Sequence, residues 1–150
     1  RMRLGLMLND PEEEHSCFAD NTHNDHFYNG VGIRNVYLGS YTRTDGTSVS
    51  GPSLSGLVAE IAPTLDVEMR ARLADAVLAL GRIKTSAEAG FAYDEMLERG
   101  NAGGEALIMG GVEGLIAQTR SIERVIAALD LGGIEIEGSD SLDDPSAVFQ

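Results

Sequence analysis

The chain has 150 residues, a formal net charge of −13 and a hydrophobic content of 43%, with aromatics at 5% and no Trp. That length suits one domain, 1–150, burying about 68–70% of the surface its unfolded form exposes, around a core that must be aliphatic. The negative charge argues against nucleic acid, whose phosphates it repels, and against an anionic membrane surface, while it attracts cations.

The first element is an apolar helical run, Leu4-Gly5-Leu6-Met7-Leu8, that Asn9-Asp10-Pro11 terminates. It is too short and too weakly apolar for a membrane span and is not a signal peptide. A two-turn helix without an N-cap is unstable in isolation, so it is expected to end a longer helix packed on the rest of the protein. Glu12 to His26 follows, fifteen residues holding all three histidines, the only cysteine and five carboxylates. Imidazole and carboxylate suit borderline and hard metals such as Zn, Fe and Mn. Asp20, His23 and His26 stand at successive i, i+3 steps with Asp25 beside them. On a helix, side chains three apart have Cβ atoms about 5–6 Å from each other and would converge on one ion. The plainer reading is a helix start, because the short polar side chains of Asp20-Asn21-Thr22 bond free backbone N–H groups. The helical His-Glu-x-x-His pattern of zinc peptidases is absent. Cys17 has no disulfide partner and no positioned base beyond neighbouring His15, so it is expected to be a neutral thiol.

Between Tyr41 and Val49, Thr and Val flank Asp45-Gly46, the favoured two-residue hairpin turn, which predicts a small β-hairpin. Ser53 to Ile61 reads as a short helix entered through Pro52 and stopped by Pro63. Met69, Leu73, Ala76, Leu80, Ile83 and Ala87 follow +4/+3 steps and predict a helix ending at Gly90. Tyr93 to Arg99 looks like a turn or two. Ile108, Val112, Leu115, Thr119, Ile122, Ile126 and Leu129 form a second +4/+3 seam. With Asn101 as N-cap and Gly132-Gly133 as the stop, this helix runs about 29 residues, roughly 43 Å. Two long seams of matching period suit antiparallel helices packed at about +20°. Ile134 to Glu137 alternates like a short strand, and Gly138 to Pro145 is acidic loop without the Gly and final Glu of a calcium-binding hand. The fold class is therefore all-α, an antiparallel helical bundle with one small hairpin near residues 41–49.

Glu13-Glu14-His15-Ser16-Cys17-Phe18-Ala19-Asp20-Asn21-Thr22-His23, followed by Gly32-Ile33-Arg34-Asn35-Val36-Tyr37-Leu38-Gly39, resembles the second half of the imelysin family. These are iron-regulated cell-envelope proteins of bacteria, first described as insulin-cleaving metallopeptidases. Gly51-Pro52-Ser53-Leu54, Gly100-Asn101 and Gln118-Thr119-Arg120-Ser121-Ile122-Glu123 extend the resemblance over most of the chain. It implies an all-helical, imelysin-like fold of two bundle-like halves with a metal site near their junction, in the periplasm or cell envelope. The family's Gly-x-His-x-x-Glu motif lies in its first half and does not occur here. The resemblance thus implies a missing N-terminal half as partner, present as a separate chain or a cleaved segment.

Three functions follow as expectations. The first is binding of iron, or of an iron-bearing ligand, for uptake. The second is metallopeptidase activity, which needs a metal-bound water, an open coordination position and a general base. The third is a helical interaction module without a ligand. Binding is preferred, because no helical Glu stands two or three residues from a ligating His. The ligand candidates for iron or zinc are His23 and Asp20, then His26 and His15. Asn21 and Thr22 are expected to orient that turn. Arg120 and Glu123 are candidates to support the site or, more simply, an i, i+3 surface pair. No catalytic residue is assigned.

Overall fold

The computed structural model describes residues 2–132. The expected strand at Ile134–Glu137 and the acidic loop from Gly138 lie outside the described residues. Within them the chain forms α1 (Met2–Leu8), α2 (Thr22–Leu38), a hairpin of β1 (Ser40–Thr42) and β2 (Ser48–Ser50), α3 (Leu54–Ile61), α4 (Pro63–Glu88), α5 (Tyr93–Leu97) and α6 (Ala102–Ala128). Two 3-10 turns, Pro11–Glu13 and Cys17–Ala19, lie between α1 and α2. The mostly helical bundle with one small hairpin agrees with the periodicity. No helix among the described residues is long and apolar enough to cross a membrane.

The α4 seam holds as read: Met69, Leu73, Ala76, Leu80 and Ile83 are all buried. The α6 seam faces the core, but its fully buried positions match the seam only at its start. Ile108 and Val112 are buried, but beyond them the buried stripe passes through Gln118, Ser121 and Val125 rather than Thr119, Ile126 and Leu129. Leu115, Ile122 and Leu129 still pack on the two cores as partly buried side chains, while smaller and polar residues take the most enclosed positions. Ser121 earns its buried place through Glu68 of α4, to which its hydroxyl donates at 3.0 Å. Arg124 reaches the same carboxylate at 2.5 Å.

The core is in two parts. Leu80 and Ile83 from the end of α4 meet Ile108 and Val112 from the first half of α6, together with Met2, Tyr93, Met96 and Leu97. Leu65, Met69 and Leu73 meet Val125, Tyr37 and Val58. This pairing makes α4 and α6 antiparallel. Between the two cores the helices touch backbone to backbone, since a Cβ on Gly114 would lie 3.2 Å from the Cα of Ala76. At the start of α6 the approach is closer still, and a Cβ on Gly104 would fall 2.3 Å from the carbonyl oxygen of Met96.

Several boundaries differ from the sequence reading. Pro63 does not merely stop α3; it occupies the first turn of α4, where its missing N–H costs nothing. The hairpin loop is longer than the expected two residues. Gly46 N–H donates to Arg43 C=O at 2.9 Å, and Gly46 sits at φ +85°, the position that closes a three-residue loop. Helix α4 ends as expected at Gly90, whose φ of +99° places it in the left-handed region, with Phe91 N–H bonded to Ser86 C=O at 3.1 Å. Helix α6 ends before Gly132-Gly133. Asp130 takes the left-handed conformation at φ +53°, and Leu131 N–H bonds Ile126 C=O at 3.1 Å. The Asn101 N-cap is present, its Oδ1 accepting from Gly104 N–H at 3.1 Å. Helix α1 packs on the rest of the protein as expected: Met2 is buried in the first core and Gly5 packs on Leu97.

Candidate functional site

The segment before α2 is folded by its own polar side chains. Asp10 caps the first 3-10 turn, accepting from Glu12 N–H at 3.0 Å, and Pro11 opens it. Ser16 N–H donates to the hydroxyl of Thr22 at 2.9 Å, tying the loop to the first residue of α2. Thr22 is thereby fully buried. Asp20 closes the second turn in the left-handed conformation, φ +47°. It lies outside α2, so the i, i+3 face expected of Asp20, His23 and His26 does not exist as one helical face.

The loop and the helix bring together a different pair. His15 Nδ1 lies 2.9 Å from Asp25 Oδ2, and the Ser16 hydroxyl donates to the same oxygen. The bonds from Ser16 and then His15 hold the Asp25 carboxyl below its ordinary pKa. The His15 side chain remains 58% exposed and borders an open cleft of about 630 Å³ with Asn21, Asn24, Tyr28, Lys84 and Glu88. Lys84 and Glu88 are an i, i+4 ion pair on α4.

His26, one residue beyond Asp25, points inward. Its ring stands 5.6 Å from that of Tyr93 and 6.3 Å from that of His15, centroid to centroid. Burial, reinforced by the His15 charge, pushes its pKa down to about 4. His23 Nε2 lies 3.1 Å from the Asn24 amide nitrogen, which also donates to Asn21 Oδ1 at 2.9 Å. Asn21 and Asn24 therefore brace this turn. Glu14 is only 5% exposed, and burial raises its carboxyl pKa. Burial and then the Glu14 carboxyl raise the Cys17 thiol, which stays neutral as expected. Three buried polar atoms here have no hydrogen-bond partner: Glu14 Oε2, His23 Nδ1 and the Tyr93 hydroxyl.

Arg120 and Glu123 lie on exposed positions of the α6 stretch that packs into the second core, whereas His26 packs on Tyr93 of the first. Among the described residues, no group of three or more His, Cys, Asp or Glu side chains is placed to hold a metal ion. A centre built wholly from these residues does not fit. Ser16 and Tyr93 are the participants that spacing missed, and nothing in the spacing pairs Asp25, which stands beside the expected trio, with His15. The loop that lays His15 on Asp25 is not periodic, and Tyr93 sits far along the chain from His26, on an element with no signature of its own.

A sequence profile of the imelysin family matches residues 1–122. The chain therefore belongs to the imelysin family, as its Glu13-to-His23 block indicated. No curated protein matches it.

Proposed function

We propose that this chain carries part of an iron-binding surface of a cell-envelope protein, and that it takes iron, as the ion or in an iron-bearing ligand, for uptake. The observation that carries this reading is the His15–Asp25 pair at 2.9 Å on the wall of the cleft. A carboxylate behind an imidazole fixes the ring and raises its basicity, which is how metal-binding histidines are supported. The family match supports the connection to iron and to the envelope, and the charge of −13 favours cations.

The other half of an imelysin-like domain is the partner this reading requires. Two features support it. The outer side of α2 carries exposed apolar side chains, with Tyr28 60% and Val36 71% accessible. The unpartnered atoms of Glu14, His23 and Tyr93 cluster around the same loop. Peptide hydrolysis has less support, because it needs three protein ligands around zinc and would draw them from outside the described residues.

Iron content of the natural protein after exposure to iron, both as iron(II) and as a soluble iron(III) chelate, measured beside a His15→Ala variant, tests the site. Wild type is expected to retain iron and the variant to lose most of it. Equal retention by both would place the iron elsewhere and reject this assignment.

A further inference from the structure

We infer that the cleft beside His15 takes a transition-metal ion that is already chelated, and that His15 Nε2 enters a single exchangeable position of that complex. The inference rests on the binding function proposed above and narrows its ligand. It follows from two observations that otherwise pull apart: the described residues assemble no set of three ligands, yet one imidazole is held ready for coordination. An ionised carboxylate only accepts hydrogen bonds. With Asp25 Oδ2 at 2.9 Å, His15 Nδ1 must be the donor. In the neutral ring the proton is then on Nδ1 and the lone pair on Nε2. The Ser16 hydroxyl on the same oxygen holds the carboxylate in place.

The other histidines do not compete for this role. His26 is packed on Tyr93, and His23 has one ring nitrogen buried and the other beside the Asn24 amide. One imidazole gives a bare aqua ion little affinity. For a complex whose remaining positions are filled by its own chelator, one bond is enough to hold and orient it. The rest of the cleft, with its amides at Asn21 and Asn24 and the phenol of Tyr28, suits the polar groups of a chelator.

The test uses the natural protein and iron(III)–nitrilotriacetate, a complex of no net charge that leaves coordination positions open, against iron(II) without chelator. The chelate is expected to bind more tightly than the free ion. His15→Ala should weaken chelate binding at least about tenfold, and Asp25→Asn about 10–100-fold, while His23→Ala leaves it unchanged. Asparagine at 25 can donate to Nδ1 and so move the ring proton to Nε2, closing the coordinating atom. Long-range ¹H–¹⁵N spectra should show His15 protonated on Nδ1 in the wild type and on Nε2 in Asp25→Asn. The signature is read in a variant whose amide spectrum shows it folded, because an unconstrained histidine also favours the proton on Nε2; in the folded chain it moves only if Asp25 sets the tautomer. If iron(II) binds more tightly and needs both His15 and His23, the single-bond reading falls while the iron-binding function stands. If wild-type His15 carries its proton on Nε2, the single-bond reading also falls. If neither form of iron binds, both readings fall.

Discussion

At the scale of residues, burial against Tyr93 keeps His26 neutral, its pKa pushed down to about 4 from 6.5, while His15 a short distance away stays exposed and bound to Asp25. The buried ring has a consequence for stability. Between about pH 6.5 and 4 the unfolded chain binds a proton at position 26 that the folded chain does not, so the His26 contribution to stability rises with pH across that window. The contribution is present above 6.5 and lost as pH falls through 4. Urea unfolding at pH 7, 6, 5 and 4.5 should show the midpoint falling, and His26→Phe, which keeps an aromatic ring on Tyr93 without a proton site, should flatten that part of the profile. An unchanged slope would mean that His26 titrates normally. None of this environment was legible from sequence. The residue types stand out between Glu12 and His26, but the helical face expected over Asp20 to His26 begins only at Thr22. The left-handed Asp20 removes one member of the expected trio.

At the scale of elements, the helices were legible wherever apolar period was the dominant signal. Helix α4 follows its seam because large aliphatic side chains make its contacts. Helix α6 departs from its seam because glycine and serine make part of the contact there, and small residues leave no hydrophobic signature. The glycines can be separated by experiment. At Gly104 an added methyl would meet the backbone of Met96 at 2.3 Å, whereas at Gly110 it would meet nothing within 4 Å. Backbone cannot swing aside as a side chain can. Gly104→Ala should therefore cost about 3 kcal/mol, the upper part of the range for overpacking. Gly110→Ala should instead stabilise by about 0.5–1 kcal/mol through helix propensity. Denaturant midpoints of the two variants decide it, and equal effects would show that α5 is not seated against α6 as described.

At the scale of the molecule, the two cores are joined by the backbone contact of Gly114 with Ala76 and share no large side chain there. Losses in one core should be independent of losses in the other. Ile83→Val and Leu73→Ala, one in each core, should combine additively within about 0.5 kcal/mol. Ile83→Val and Ile108→Val, within the first core, should couple by more than that. Strong coupling across the pair Ile83 and Leu73 would show the two cores to be one. The same division places the His15 cleft at one end of the bundle and the hairpin at the other.

At the hairpin end, one buried carboxylate ties α4 to both α2 and α3. Asp66 of α4, 5% exposed, accepts from the Tyr37 hydroxyl of α2 at 3.0 Å and the Ser55 hydroxyl of α3 at 2.5 Å on one oxygen. Arg70 donates to the other at 2.8 Å. Burial raises the Asp66 pKa, but these three bonds outweigh it and the net shift is downward. An aliphatic core of repeating Leu, Ile, Val and Ala is poor at telling one alignment from another. Sliding α4 by a heptad would keep apolar side chains facing apolar side chains at little loss. It would also carry the carboxylate away from both hydroxyls and leave a desolvated charge with one partner, a penalty of several kcal/mol. Asp66 thus acts as an alignment key: its value lies less in the stability of the native bundle than in the shifted bundles it makes inaccessible.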